Sequence, residues 1–291
     1  MMLPLLHAGN TATWWHWHLH PDVILFCVVL EVAYLYAVTQ LRPMVSDAGR
    51  VRRTQVAQFS LGVFVIWLGA GTPLHDVSEQ FLLSAHMLQH ALFTLAAAPL
   101  LLCGIPAWLW QVPLRWKGVL PVARFIVHPV VALIIVNATL LLTHLPGTVD
   151  FALYHHAAHF WIHVLLIVTA VIMWWPVLSN VPDLPRSSYP VQMAYLFVQS
   201  LLPTVLASFV TFADGAVYPF YRNAPRLWGL PALADQQIAG GIMKITGGLV
   251  IWWFIGLAFF RWYNGEQRRE QEPRWEDVQE ELERIGISGS R

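Results

Sequence analysis

Cysteine is almost absent. Cys27 and Cys103 are the only two in 291 residues, too few for a disulfide framework and too far apart for a CxxC or CxC metal motif. Charge is scarce as well. Asp, Glu, Lys and Arg make up 12% of the chain and the signs balance at 17 each, so no nucleic acid or strongly acidic substrate is expected as a partner. The opening stretch MMLPLLHAGNTATWWHWHLHPD lacks the basic start and the long apolar run of a signal peptide, and reads as a retained outer tail. There is no HEXXH, no internal repeat and no separate soluble domain before the C-terminal tail.

What remains is apolar: 57% of residues are hydrophobic and 13% aromatic, which implies a polytopic membrane protein. Seven runs, about 22–41, 55–72, 79–103, 122–142, 154–176, 191–212 and 236–260, are long enough to cross a bilayer. Pro, Gly and polar clusters such as LRPMVSDAGRVRR and SNVPDLPRSSYP separate them. Of the 17 basic residues, 14 fall in alternate loops and the C-terminal region, against only Arg222 and Arg226 on the opposite side and Lys244 inside the seventh run. The expected fold is therefore an all-α membrane protein of seven transmembrane helices, N-terminus outside and C-terminus cytoplasmic. Its parts are an outer tail over 1–21, a membrane domain over 22–262 and a charged cytoplasmic tail over 263–291, where the spacing of Trp275, Val278, Leu282 and Ile285 predicts a short amphipathic helix.

On this topology twelve of the thirteen histidines gather toward the outer side, and only His128 lies toward the cytoplasm. His86 and His90 in the third helix and His159 and His163 in the fifth are each spaced i, i+4, so both rings of a pair share one face. With entries near Glu79 and Tyr154, the first pair lies roughly 10 and 16 Å deep and the second roughly 8 and 14 Å. Ionisable groups inside a bilayer are functional candidates by default, and neutral imidazole suits copper, zinc, iron or nickel. Satisfied interhelical hydrogen bonds are the alternative use of such rings.

Asp235 and Met243 on the seventh helix bring a carboxylate and a soft thioether toward the same region, a pairing with His that suits Cu(I). His155 and His156 at the outer mouth, with His16, His18 and His20 among interfacial tryptophans, are candidates for guiding metal inward. The run of small residues at Gly240, Gly241, Gly247 and Gly248 would let another helix pack closely. Glu31 and Lys244, the deepest charges, are expected to form an ion pair.

The ordered motifs HMLQHALFTLAAAPLLLCGIP (86–106), HFWIH with MWWPV (159–177) and DQQIAGGIMK (235–244) resemble the polytopic CtaG family of cytochrome c oxidase assembly factors, the seven-helix kind associated with caa-type oxidases. The resemblance covers roughly residues 20–262. It implies a non-enzymatic protein of the bacterial plasma membrane that serves maturation of a haem-copper oxidase by copper delivery, with the oxidase subunits as partners. Its motifs carry His86, His90, His159, His163, Asp235, Gln236, Gln237 and Met243. Lys244 departs from the aromatic residue expected after the methionine. A monomer and a homo-oligomer both stay open.

Other readings keep the same residues in different roles. A b-type haem protein would use the His pairs as axial ligands, but a single histidine layer offers no second haem for a transmembrane electron path. A copper transporter would need ligands continuing to the cytoplasmic side, where only Glu31, Lys244, Asn137 and Thr246 stand in the helices. A zinc hydrolase would need a Glu beside the first His of HMLQH or HFWIH to act as general base, and neither run has one.

Overall fold

The computed structural model describes residues 19–45 and 49–271, together with Gln279 and Arg284 singly. His16, His18 and the helix expected over Trp275, Val278, Leu282 and Ile285 lie outside the described residues. Among the described residues all regular structure is helical. We number the helices α1 (Pro21–Met44), α2 (Arg53–Ala70), α3 (Pro73–Gln80), α4 (Leu83–Gly104), α5 (Ala107–Leu114), α6 (Val119–Ile126), α7 (Pro129–Thr143), α8 (Pro146–Tyr154), α9 (His156–Leu178), α10 (Tyr189–Phe212), α11 (Pro219–Asn223) and α12 (Ala232–Gln271). Proline opens many of them, at Pro21, Pro73, Pro129, Pro146, Pro190 and Pro219, where its fixed φ suits the first turn and its missing N–H costs nothing.

Five helices, α1, α4, α9, α10 and α12, are long and apolar enough to cross a membrane, and the number rises to seven if the bent pairs α2–α3 and α6–α7 each count as one span. The first pair bends by 45° and the second by 71°. The larger bend falls at His128, which precedes Pro129 and adopts ψ 131°, because the proline ring disfavours the helical region for the residue before it.

The side-chain distribution is that of a protein in lipid. Gln89, Gln199, Asp235 and Gln236 are at most 2% exposed, whereas Phe209, Leu249 and Trp253 are 72, 69 and 66% exposed. Large apolar surface therefore faces outward while Gln89, Gln199, Asp235 and Gln236 find hydrogen-bond partners inside, the arrangement that a hydrocarbon solvent favours.

Helix α4 contains a π-helical stretch over Leu92–Ala97, separated from His90 by Ala91 alone. Pro99 follows; its ring would clash with the carbonyl four residues earlier in a regular helix, and the widened turn relieves this. The loosened ladder is satisfied from outside, since the Trp174 indole donates to the Thr94 carbonyl at 2.8 Å and the Thr94 hydroxyl donates to the His90 carbonyl at 2.8 Å.

Two expectations change. Glu31 accepts from the Ser60 hydroxyl at 2.6 Å, and Lys244 is exposed with its Nζ 3.5 Å from the Ser208 hydroxyl, so the ion pair is replaced by separate polar contacts on different helices. Of the α12 glycines singled out, only Gly240 sits in a close crossing: a Cβ there would stand 2.8 Å from the Ala207 carbonyl of α10 and collide with Thr211, whereas Gly241, Gly247 and Gly248 have open space. Gly240→Val should therefore destabilise the bundle by about 1–3 kcal/mol, seen as a lower unfolding temperature in detergent. Gly247→Val should leave that temperature unchanged.

Candidate metal centre

His86 stands three residues and His90 seven residues after the first residue of α4; His159 and His163 stand at the same offsets in α9. At about 1.5 Å per residue both pairs lie roughly 4.5 and 10.5 Å from their helix starts. The two pairs thus occupy matching positions in their helices, with α4 beginning at Leu83 rather than near Glu79. Phe81 and Leu82 leave helical geometry, and Glu79 belongs to the preceding α3.

The start of α4 is held from α12. The Asp235 carboxylate, 1% exposed, accepts from the Leu83 and Ser84 amides at 2.7 and 3.1 Å and from the Ser84 hydroxyl at 2.5 Å. It satisfies amides that a helix N-terminus leaves without intrahelical partners and places negative charge at the positive end of the helix. With these contacts the carboxylate is committed to capping. The neighbouring Gln236 side chain accepts from the Val217 amide at 2.6 Å and donates to the Val210 and Gly215 carbonyls at 3.1 and 3.2 Å, joining the α10–α11 loop to the same helix.

His86, His159 and His163 converge. All three are buried, and one ring nitrogen from each lies within 4.8 Å of the others. The Nε2 atoms of His159 and His163 are 2.9 Å apart, and the His86 ring stacks on that of His159 at 5.4 Å.

Surrounding groups assign the tautomers. Burial pushes the Tyr221 hydroxyl well above its ordinary pKa, so it remains a donor. It gives its proton to the Ser78 carbonyl at 2.6 Å, and it can then only accept from His86 Nδ1, 3.0 Å away. His86 is left with a free lone pair on Nε2. Glu79 Oε1 lies 2.5 Å from His159 Nδ1; this fixes the proton there and leaves His159 Nε2 facing His163. A carboxylate behind an imidazole in this way fixes the tautomer and orientation of the ring.

His75 lies in the layer around the trio. Its Nε2 lies 3.2 Å from Glu79 Oε1, and its Nδ1 accepts from Gln89 Nε2 at 2.9 Å. Gln89 also donates to the Gly69 carbonyl at 2.9 Å and accepts from the Ser78 hydroxyl at 3.0 Å, so every member of this network is matched. Sequence reasoning missed the orienting roles of Glu79, His75 and Tyr221. The i, i+4 spacing of His75 and Glu79 was a usable signal; nothing local marks Tyr221, on the short α11.

The remaining candidates lie around this core. The His90 ring is 4.2 Å from that of His86 and 5.4 Å from that of His163, but it is outside the convergent trio. Met243 lines a cavity beside His90. His20 packs edge-on against His75 at 4.6 Å, with Nε2 3.3 Å from Asp76. His155 is exposed, its Nδ1 2.8 Å from the Phe151 carbonyl. The His156 side chain is 93% exposed, and its Nδ1 lies 4.0 Å from Glu79. Because Asp235 bonds to charge-seeking buried amides, Asp235→Asn should cost about 1.5–3 kcal/mol of stability. Ser84→Ala, which removes only the hydroxyl, should cost about 1 kcal/mol, and thermal unfolding of the two variants in detergent measures the difference.

The chain is 23% identical over 257 residues to uncharacterized protein Mb0105 of Mycobacterium bovis and, to the same degree, to uncharacterized protein MT0111 of Mycobacterium tuberculosis; each match covers 83% of this chain and 38% of the relative. The chain thus spans well under half the length of these curated relatives. No solved structure matches it. The model of the cytochrome c oxidase caa3 assembly factor family matches residues 32–265, nearly the whole membrane region including all three convergent histidines, and the chain belongs to that family.

Proposed function

We propose that this assembly factor binds copper through His86, His159 and His163 and assists maturation of a copper centre in its client oxidase. The observation that carries the reading is the convergence of three buried imidazoles, two of them oriented by Tyr221 and Glu79 so that lone pairs remain for a metal. Such a neutral nitrogen set suits copper, and it suits zinc as well; a cytochrome c oxidase client makes copper the fitting ion. A copper ion held here would be the cargo, and the protein's part would be to hold and orient the ligands. No catalytic role is assigned.

Close packing favours an ion over a haem. The facing nitrogens of His159 and His163 are in contact at 2.9 Å, which leaves no slot for a macrocycle between them. The adjacent cavity, about 130 Å³, is well below the roughly 300–1,000 Å³ of pockets for larger organic ligands. The distribution of basic residues supports a site on the outer side of the bacterial plasma membrane, with the oxidase subunits as partners.

Metal analysis of detergent-purified protein tests the reading. Copper should be retained by the wild-type protein and lost when His86, His159 or His163 is replaced by Ala. Glu79→Gln and Tyr221→Phe should keep the ligands but weaken copper affinity about 10- to 100-fold, and oxidase maturation should fall in the same order. Copper retention by the triple Ala variant with normal oxidase maturation would contradict the proposal.

A further inference from the structure

His90 is the one histidine of the two matched pairs left out of the trio, and its surroundings are unusual. The residue is 8% exposed, and neither Nδ1 nor Nε2 has a hydrogen-bond partner among the described residues. Leaving a buried polar group unmatched is unfavourable, and a leucine of similar size would avoid that cost. An unmatched imidazole therefore asks for a partner that is neither backbone nor side-chain donor.

The cavity that His90 lines offers one. It encloses about 130 Å³ and is also lined by His144, Met87 and Met243. His144, 5% exposed, sits at the end of α7 with its ring 5.6 Å from that of His90. Its Nδ1 lies 2.8 Å from the Leu140 carbonyl, which can only accept, so Nδ1 carries the proton and Nε2 the lone pair. The Thr143 hydroxyl near the same nitrogen donates to the Thr139 carbonyl at 2.7 Å and does not compete for that role. Tyr218 donates to the His144 carbonyl at 3.1 Å, anchoring the backbone. Met87 precedes His90 by three positions, on the same face of α4, and packs with Met243 of α12 in one apolar cluster.

We infer that this cavity is a second, softer metal site, distinct from the trio, in which His90, His144, Met87 and Met243 take Cu(I). Two neutral imidazoles and two thioethers on four separate positions of three helices form a donor set without an anionic member. Its two thioethers and lack of an anionic donor favour soft, monovalent Cu(I) over borderline Zn²⁺ and over hard divalent ions. The site stands on its own donors; only the passage of copper between it and the trio, whose rings adjoin at His86 and His90, rests on the function proposed above.

Titration of the full-length detergent-solubilised protein with Cu(I) against a competing chelator, followed by X-ray absorption spectroscopy, tests the inference. The wild-type protein should bind two Cu(I) per chain, one with sulfur scattering. His144→Ala combined with Met243→Leu should reduce this to one, with sulfur scattering lost. The variant with Ala at His86, His159 and His163 should keep one Cu(I) that still shows sulfur. If the trio does not bind copper, the wild-type protein binds a single, sulfur-ligated Cu(I) and the triple variant is unchanged; this supports the second site while refuting the first. His90→Leu provides a control for folding, since it should leave the unfolding temperature of metal-free protein equal or higher while abolishing the sulfur signal. Sulfur scattering absent from the wild-type protein, or unaffected by His144→Ala with Met243→Leu, overturns the inference.

Discussion

A carboxylate buried in a membrane protein has to be surrounded by donors, and Asp235 meets that demand by taking the first amides of α4. The rest of the candidate centre depends on this contact. It decides that α4 starts at Leu83 and not in the apolar residues before it, and so fixes the height of His86 and His90 against His159 and His163. It also clamps α12 to α4, while Gln236 on the next residue holds the loop that leads to Tyr221. One ion-dipole contact thereby links the helix that carries two histidines to the segment whose hydroxyl orients one of them.

Around the trio, polarity is arranged in layers. The three converging imidazoles lie innermost, and Glu79, Tyr221, His75, Gln89 and Ser78 form a hydrogen-bonded shell around them. In low dielectric such a network is rigid when complete and costly when broken. Its members come from two short elements, α3 (His75, Ser78, Glu79) and α11 (Tyr221), and from the long α4, which supplies Gln89. The π turn after His90 belongs to the same economy of backbone: it absorbs Pro99, and Trp174 takes up the carbonyl it frees.

Much of this was legible in the chain. Spans over 154–176 and 191–212 match α9 and α10 closely because hydropathy records what lipid requires of each segment. The two HxxxH runs place rings on common faces through helix geometry alone. The break at Phe81–Leu82 was not legible, because both residues are apolar and the group that starts the next helix lies 152 positions away. Tyr221 escaped for the same reason: its partner His86 is 135 positions distant. Glu31 and Lys244 were paired by a rule about cost in hydrocarbon, but local hydroxyls on adjacent helices met part of that cost instead.

The central claim is that the three converging imidazoles form a copper centre. Anomalous scattering at the copper absorption edge, from an experimental structure of the copper-loaded protein, addresses it most directly. The account predicts a peak bonded to nitrogens of His86, His159 and His163, with His159 Nδ1 still on Glu79 and His86 Nδ1 still on Tyr221. Copper found only away from these rings, with the His159–His163 contact intact, would contradict it.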